Sequence, residues 1–346
     1  MSSSESRRSR YRLGASLCAA VFGSALLASS APAFAQTTPA FVMKLGTASL
    51  NDQQHEWMKM YKEALERDSG HRIRVDIYPS AQLGSIPREI EDTQFGAIQG
   101  WVGPPEFLTG IDQRFEVLGI PSVFANDEQV NKTLVDPQFA TPFMALASDK
   151  GLVGISLFLN GRQALITRKP VDHIADAKGL KLRVTAGPVL EGVTRMLGAT
   201  PVPMSLDQVL PALQQGAIDG IISSVAVTTP LKYYTVAPYV KPMPGYTVDI
   251  TVISKSWLAS LPPDLQKIVL DDGLKIGRAI VPFTTSYLAR QAGVWTSGGG
   301  HIDRFPPAEE KAFTASVASI GHDVTSTNPD LAAMYATLLT TAAKYK

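Results

Sequence analysis

An arginine stands at position 183, in the stretch Lys178-Gly-Leu-Lys-Leu-Arg-Val-Thr-Ala-Gly-Pro188. Leu180, Leu182 and Val184 alternate as the inward face of a strand does, and Gly187-Pro188 opens a helical pattern. Open α/β folds bind ligands beyond the carboxyl ends of their strands. A guanidinium placed there is a planar fork of donors matched to both oxygens of a carboxylate. From spacing alone, however, Arg183 reads as a surface arginine on an edge strand. Arg162, in Asn160-Gly-Arg-Gln-Ala-Leu-Ile-Thr167, raises the same choice between a ligand contact and a solvated residue paired with Asp172 or Asp176. Ser223 and Ser224 at a strand end have hydroxyls suited to nucleophilic attack, but the sequence sets no base beside them.

Other chemistry is missing from the pattern. The histidines, His55, His71, His173, His301 and His322, lack the spacing of a metal site. No G-x-S-x-G, P-loop, S-x-x-K or G-x-G-x-x-G run occurs, so no nucleotide or other cofactor is expected. A net charge of +1, with 18% charged and 45% hydrophobic residues, excludes an obvious nucleic-acid footprint and fits an ordinary globular chain.

The first residues read as an export signal. Arg7, Arg8, Arg10 and Arg12 precede an apolar run that ends in Ala33-Phe34-Ala35, which predicts cleavage after Ala35. An N-terminal membrane anchor is the alternative, but the apolar core is short and rich in Ala and Ser, which favours cleavage. Arg7-Arg8 suits the twin-arginine route, whereas Arg10 stands where that motif prefers an apolar residue, so both export routes stay open. The single cysteine, Cys18, lies inside the signal without a lipobox, which leaves the exported chain free of thiol chemistry.

From Phe41 onward, strand and helix patterns alternate. Strands are predicted at 41–49, at 71–79, through Gly96–Gly103 and Leu118–Phe124, at 151–161, at 163–170, at 179–185 and from about 217. Helices are predicted at 52–68, 188–199 and 205–216, the last with a Ser205–Gln208 capping box, then from Pro263 towards Ala292 with a kink at Pro282, and at 308–320 and 331–343. Gly298-Gly-Gly300 reads as a flexible connector. Such alternation implies mixed, mostly parallel sheets flanked by helices, in two lobes with a ligand cleft between them.

Three segments then add a resemblance. Residues 78–100 (YPSAQLGSIPREIEDTQFGAIQG), residues 118–130 (LGIPSVFANDEQV) and the run from Asn160 to Gly220 resemble the solute-binding proteins of TRAP transporters, the DctP-like family. The likeness weakens after Gly220 and returns at ISKSWLASLPPDLQKIV. It implies the two-lobed periplasmic binding protein fold, with discontinuous lobes of 36–159 plus 249–288 and 160–248 plus 289–346. It also implies a periplasmic receptor, not an enzyme, that captures a small organic acid and hands it to small and large membrane subunits for ion-driven uptake. A monomer is expected. A receptor for a membrane sensor, or a carboxylate isomerase or lyase, remains the alternative.

By the same resemblance Arg183 is the carboxylate clamp and Arg162 a second arginine facing the anion. Ser223 stands where sugar-acid binders carry Asn, with Ser224 in place of a proline, and Leu206 stands where some members stack an aromatic ring. Val102, Gly103 and Pro104 replace an acidic position. Trp101 reads as a stacking plate or as plain core, and Tyr246 as a hydroxyl donor. A wall with so few polar groups suits a weakly polar monocarboxylate, aromatic, branched or 2-oxo, better than a sugar acid.

Overall fold

The structure, a computed structural model, describes residues 39–326 and 328–346, so the export signal with Cys18 and the cleavage site at Ala35 lie outside the described residues. The strands are β1 (Phe41–Gly46), β2 (Ile73–Tyr78), β3 (Gly100–Gly103), β4 (Leu152–Thr167), β5 (Lys181–Val184), β6 (Thr200–Pro203), β7 (Gly220–Ser224), β8 (Tyr239–Ser254) and β9 (His301–Ile302). The helices that matter for the site are α1 (Gln53–Asp68), α2 (Ile86–Gln94), α3 (Asp127–Val135), α4 (Pro137–Met144), α5 (Pro188–Met196), α6 (Leu206–Gln215) and α7 (Val225–Thr228). Downstream follow α8 (Lys255–Ser260), α9 (Pro263–Ala279), α10 (Val281–Ser297), α11 (Pro307–Val317), α12 (Ile320–Thr325) and α13 (Pro329–Ala343).

All nine strands join one sheet in the order β2-β1-β3-β8-β4-β7-β5-β6, with β9 against β8. β1 pairs in parallel with β2 and β3, and β5 with β6 and β7; β8 is antiparallel to β3 and β4, and β4 to β7. The two halves therefore share a sheet, because two 16-residue strands, β4 and β8, run through both. Two strands predicted separately at 151–161 and 163–170 are this one strand. Bulges at Gly154/Ser156, Leu159/Gly161 and Arg162/Ala164 bend it without breaking it. The lobe boundaries expected at 159/160, 248/249 and 288/289 fall inside β4, β8 and α10.

Local rules account for most elements. Asp52 caps α1 by accepting from the His55 amide at 3.2 Å, and Trp57, Tyr61, Ala64 and Leu65 form its buried stripe. Trp57 stacks on Tyr61 at 4.7 Å and donates from Nε1 to Ser156 Oγ at 3.0 Å, which docks α1 on β4. Pro282 splits the long predicted helix into α9 and α10, since an interior proline lacks the amide and crowds the preceding turn. The segment after Leu118 is no strand: Gln113–Gly119 is a 3-10 turn, and Pro121 follows without an amide for a ladder, though Leu118, Ile120 and Val123 are buried. Gly298 and Gly300 are packing positions rather than a loose connector, because a Cβ there would overlap Tyr234 or Trp295.

Where β4 and β8 cross between the halves, the core is polar. Asp249 on β8 is fully buried and accepts from Gln54 Nε2 at 2.8 Å and Asn160 Nδ2 at 2.9 Å. Gln53 Nε2 donates to the Asn160 carbonyl at 2.6 Å, so the start of α1 is tied to both long strands. Burial pushes the Asp249 carboxyl well above the usual range. No helix among the described residues is long and apolar enough to cross a membrane.

Candidate functional site

The carboxyl ends of β1, β3, β5 and β7 converge on one cavity. Ala48 follows β1, Val102–Pro104 end β3, Thr185 follows β5, and Ser223 ends β7. The first residue of α6, Leu206, closes one side, and Gln54 and Gln163 reach in from α1 and β4. The rest of the wall is mostly apolar: Ile86, Phe107, Ile222 and Val227.

Arg183 anchors this cavity. β5 lies between β6 and β7, so it is an internal strand, and the edge-strand reading of Arg183 is overturned. Leu182 and Val184 are fully buried and Arg183 is only 2% exposed. Its Nε donates to the Met204 carbonyl at 2.8 Å, and its guanidinium carbon stands 5.9 Å from the Phe107 ring centroid. Its Nη atoms donate to no protein group among the described residues. Burial lowers its pKa to about 10, with Tyr233, Asp207 and Glu106 partly opposing, so it stays charged at pH 7. A buried cation held from behind by one bond, with its fork otherwise free, has donors to spare for an anion.

The other predicted residues divide. Trp101, Val102, Leu206 and Ser223 line the cavity with Arg183, as do Gly103 and Pro104. Ser223 is half-buried, and its hydroxyl meets no protein partner among the described residues. Ser224 turns the other way and accepts from the Ala226 amide at 3.1 Å, so it caps α7. Trp101 is fully buried rather than a plate in the opening: its six-membered ring lies over Gly103, where a Cβ would overlap it.

Arg162 and Tyr246 lie outside this cavity. Arg162 is 58% exposed and pairs with Asp127, not Asp172 or Asp176, with Nε at 3.0 Å and Nη2 at 2.9 Å. Its guanidinium stacks over the Tyr246 ring at 5.1 Å, and the Tyr246 hydroxyl donates to Asp127 at 3.2 Å. The bulge between Arg162 and Ala164 resets the alternation of β4, so Gln163 enters the cavity instead. Ser205 also departs from expectation: it makes no capping bond, and its Oγ accepts from the Ile86 amide at 3.1 Å while donating to Asp207. That contact joins α2 to α6 beside the cavity.

Thr185, Gln163, Gln54 and Thr247 are cavity residues that sequence reasoning missed. Thr185 was legible, since it follows Arg183 by two on the same strand side. Gln163 was not, because no sequence signal marks the bulge.

A groove of about 970 Å³ opens on another face, between α3 and α10, against about 40 Å³ in the cavity at Arg183. Size alone favours the groove. Chemistry favours the smaller cavity: at the groove Arg162 pairs with Asp127, Lys132 with Glu128, and Arg278 is exposed to solvent, whereas the Arg183 fork is buried and unpaired among the described residues.

Several buried carboxyls surround these elements. Burial raises Asp52 to about 6, Glu89 to about 8, and Glu106 and Glu116 to about 7 each. Each binds its proton more tightly in the native state than in the unfolded chain, where carboxyls titrate near ~4. Their stability contribution is full below the unfolded value and is lost as pH rises through the folded one. The unliganded protein is therefore expected to melt several degrees higher at pH 5.5 than at pH 8. A melting temperature that rises over that interval, in a fluorescence melt at constant ionic strength, would show these groups to be ionised in the fold.

A mixed α/β sheet brings a buried, unpaired guanidinium to its strand ends. The family model described as bacterial extracellular solute-binding protein, family 7 (DctP), matches residues 46–324, and the chain belongs to that family. It is similar to the 2,3-diketo-L-gulonate-binding periplasmic protein YiaO of Escherichia coli strain K12, 25% identical over 231 residues that cover 66% of this chain and 70% of that one. Among solved structures it resembles a TRAP periplasmic solute-binding protein from Anaerococcus prevotii with bound D-glucuronate, at TM-score 0.82 and 26% identity over 88% of this chain and 99% of that chain. A TRAP solute-binding protein from Desulfovibrio salexigens with bound orotic acid shares the fold at TM-score 0.80 and 21% identity, over 87% and 99% of the two chains.

Proposed function

We propose that this chain is the periplasmic receptor of a TRAP transporter and that Arg183 holds the carboxylate of a small organic acid. The observation that carries the reading is the free, buried guanidinium fork at the converging strand ends. YiaO and the two structural relatives are each described with an organic acid, which accords with an anion clamp. The lobes are residues 36–159 with 249–288 and 160–248 with 289–346. They close by bending at the bulges of β4, and the Ser205–Ile86 contact fastens α6 to α2 on closure. The closed, loaded receptor passes its acid to the two membrane subunits.

The ligand is a weakly polar monocarboxylate. Ile86, Val102, Phe107, Leu206, Ile222 and Val227 give most of the wall, and burying unmatched sugar hydroxyls against them costs ~1–3 kcal/mol each. A thermal-shift screen of organic acids tests both parts, since a ligand bound only by the native state raises its melting temperature. Branched or aromatic monocarboxylates are expected to give the largest shifts and to be recovered unchanged. Sugar acids as the tightest ligands would refute the polarity reading, and turnover of the bound acid would favour an enzyme.

A further inference from the structure

We infer that Trp101 and Thr185 form a second recognition element beside the Arg183 fork, one that reads an oxygen acceptor next to the ligand's carboxylate and so selects 2-oxo acids. The inference rests on the receptor reading above and narrows its ligand.

The Trp101 Nε1 atom is buried and has no hydrogen-bond partner, and the Thr185 Oγ1 atom is in the same condition. Trp101 is 0% and Thr185 7% exposed, and both line the cavity that holds Arg183. Of the eleven buried side-chain atoms without a partner among the described residues, these two alone belong to residues that line this cavity. Two unpartnered donors on one small cavity, beside a cation whose Nη atoms are also free, indicate groups kept for a ligand.

The chemistry of the donors restricts what they accept. An indole N–H can only donate, so the group opposite Trp101 must be an acceptor; a threonine hydroxyl can join it as a second donor. A carbonyl oxygen offers two lone pairs and no hydrogen, so one ketone can satisfy both. Thr185 follows Arg183 by two residues, just past the end of β5, and both line the same small cavity. The acceptor therefore adjoins the carboxylate, as the ketone of a 2-oxo acid does. Trp101 cannot serve by its face, since its ring is packed on Gly103. Beyond these donors the wall is largely apolar, so the remaining carbon chain is hydrophobic.

The test is calorimetric titration with matched pairs: 3-methyl-2-oxobutanoate against 3-methylbutanoate, and phenylpyruvate against 3-phenylpropanoate. At about tenfold per hydrogen bond, the wild-type protein is expected to favour a 2-oxo acid over its partner by roughly 100-fold. Trp101→Phe and Thr185→Val are each expected to cut that ratio about tenfold. The ratio is read within one folded variant, so a loss of overall stability does not imitate the effect. Should Trp101→Phe fail to fold, Thr185→Val carries the test. Wild-type affinities that are equal within each pair, or a ratio untouched in both variants, would overturn the inference. A protein that binds other carboxylates but no 2-oxo acid sinks this inference alone, whereas one that binds no carboxylate sinks the receptor reading with it.

Discussion

Arg183→Ala is expected to abolish the ligand-induced thermal shift and to weaken acid binding by at least 100-fold, while the unliganded protein remains folded. Removing one member of a buried, hydrogen-bonded charge pair typically costs ~2–5 kcal/mol, which spans about 30-fold to several thousand-fold in affinity. In the free protein the guanidinium has only the Met204 carbonyl at 2.8 Å as partner, so its loss removes one bond and also a desolvated charge. Those two effects on stability oppose each other. Arg183→Lys separates charge from shape: the ammonium keeps the charge but cannot present the parallel donors of the fork, so affinity is expected to stay well below wild type. A lysine variant with wild-type affinity would show that net charge alone is read.

The second large effect concerns the crossing of β4 and β8. Asp249→Ala leaves Gln54 Nε2 and Asn160 Nδ2 buried without their acceptor. At ~1–3 kcal/mol for each orphaned donor, the variant is expected to lose about 2–5 kcal/mol and to melt roughly 5–10 °C lower. Asp249→Asn is expected to be far milder. Its shape is conserved, and Asn160 has a free buried Oδ1 that can turn to accept from the new amide. Because the Asp249 carboxyl is raised well above the usual range by burial, the Asn variant should also lose part of the fall in stability between pH 5.5 and pH 8. Equal melting temperatures for the wild type and Asp249→Ala in a denaturation series would show that the polar crossing contributes little.

Much of this architecture was legible in the residues. The stripe of α1, its Asp52 cap and the break at Pro282 follow from helix rules that act within a few residues. Arg183 was legible as a position but not as a burial state, because a strand's alternation marks two faces and does not say that the second one meets a cleft. The same local rules fail where tertiary geometry intervenes. Arg162 and Gln163 exchange faces at a bulge that no residue type announces. Ser205 has a capping-box partner three residues on, yet its hydroxyl is taken by Ile86 from another helix, 119 positions away in sequence. The first half of β8 carries Pro242 and Pro244, which locally argue against a strand, and it pairs with β4 nonetheless. Gly298 and Gly300 read as slack from composition and are dictated instead by Tyr234 and Trp295. In each case the deciding neighbour is distant in sequence.

In the function proposed, the free, buried guanidinium of Arg183 recognises a carboxylate. Isothermal titration of the wild-type protein with its best acid and with the corresponding primary amide tests this most directly. The amide keeps the shape and one acceptor oxygen but lacks the charge and the second acceptor that the fork requires. The acid is expected to bind at least 100-fold more tightly than the amide. Amide and acid binding with equal affinity would contradict it.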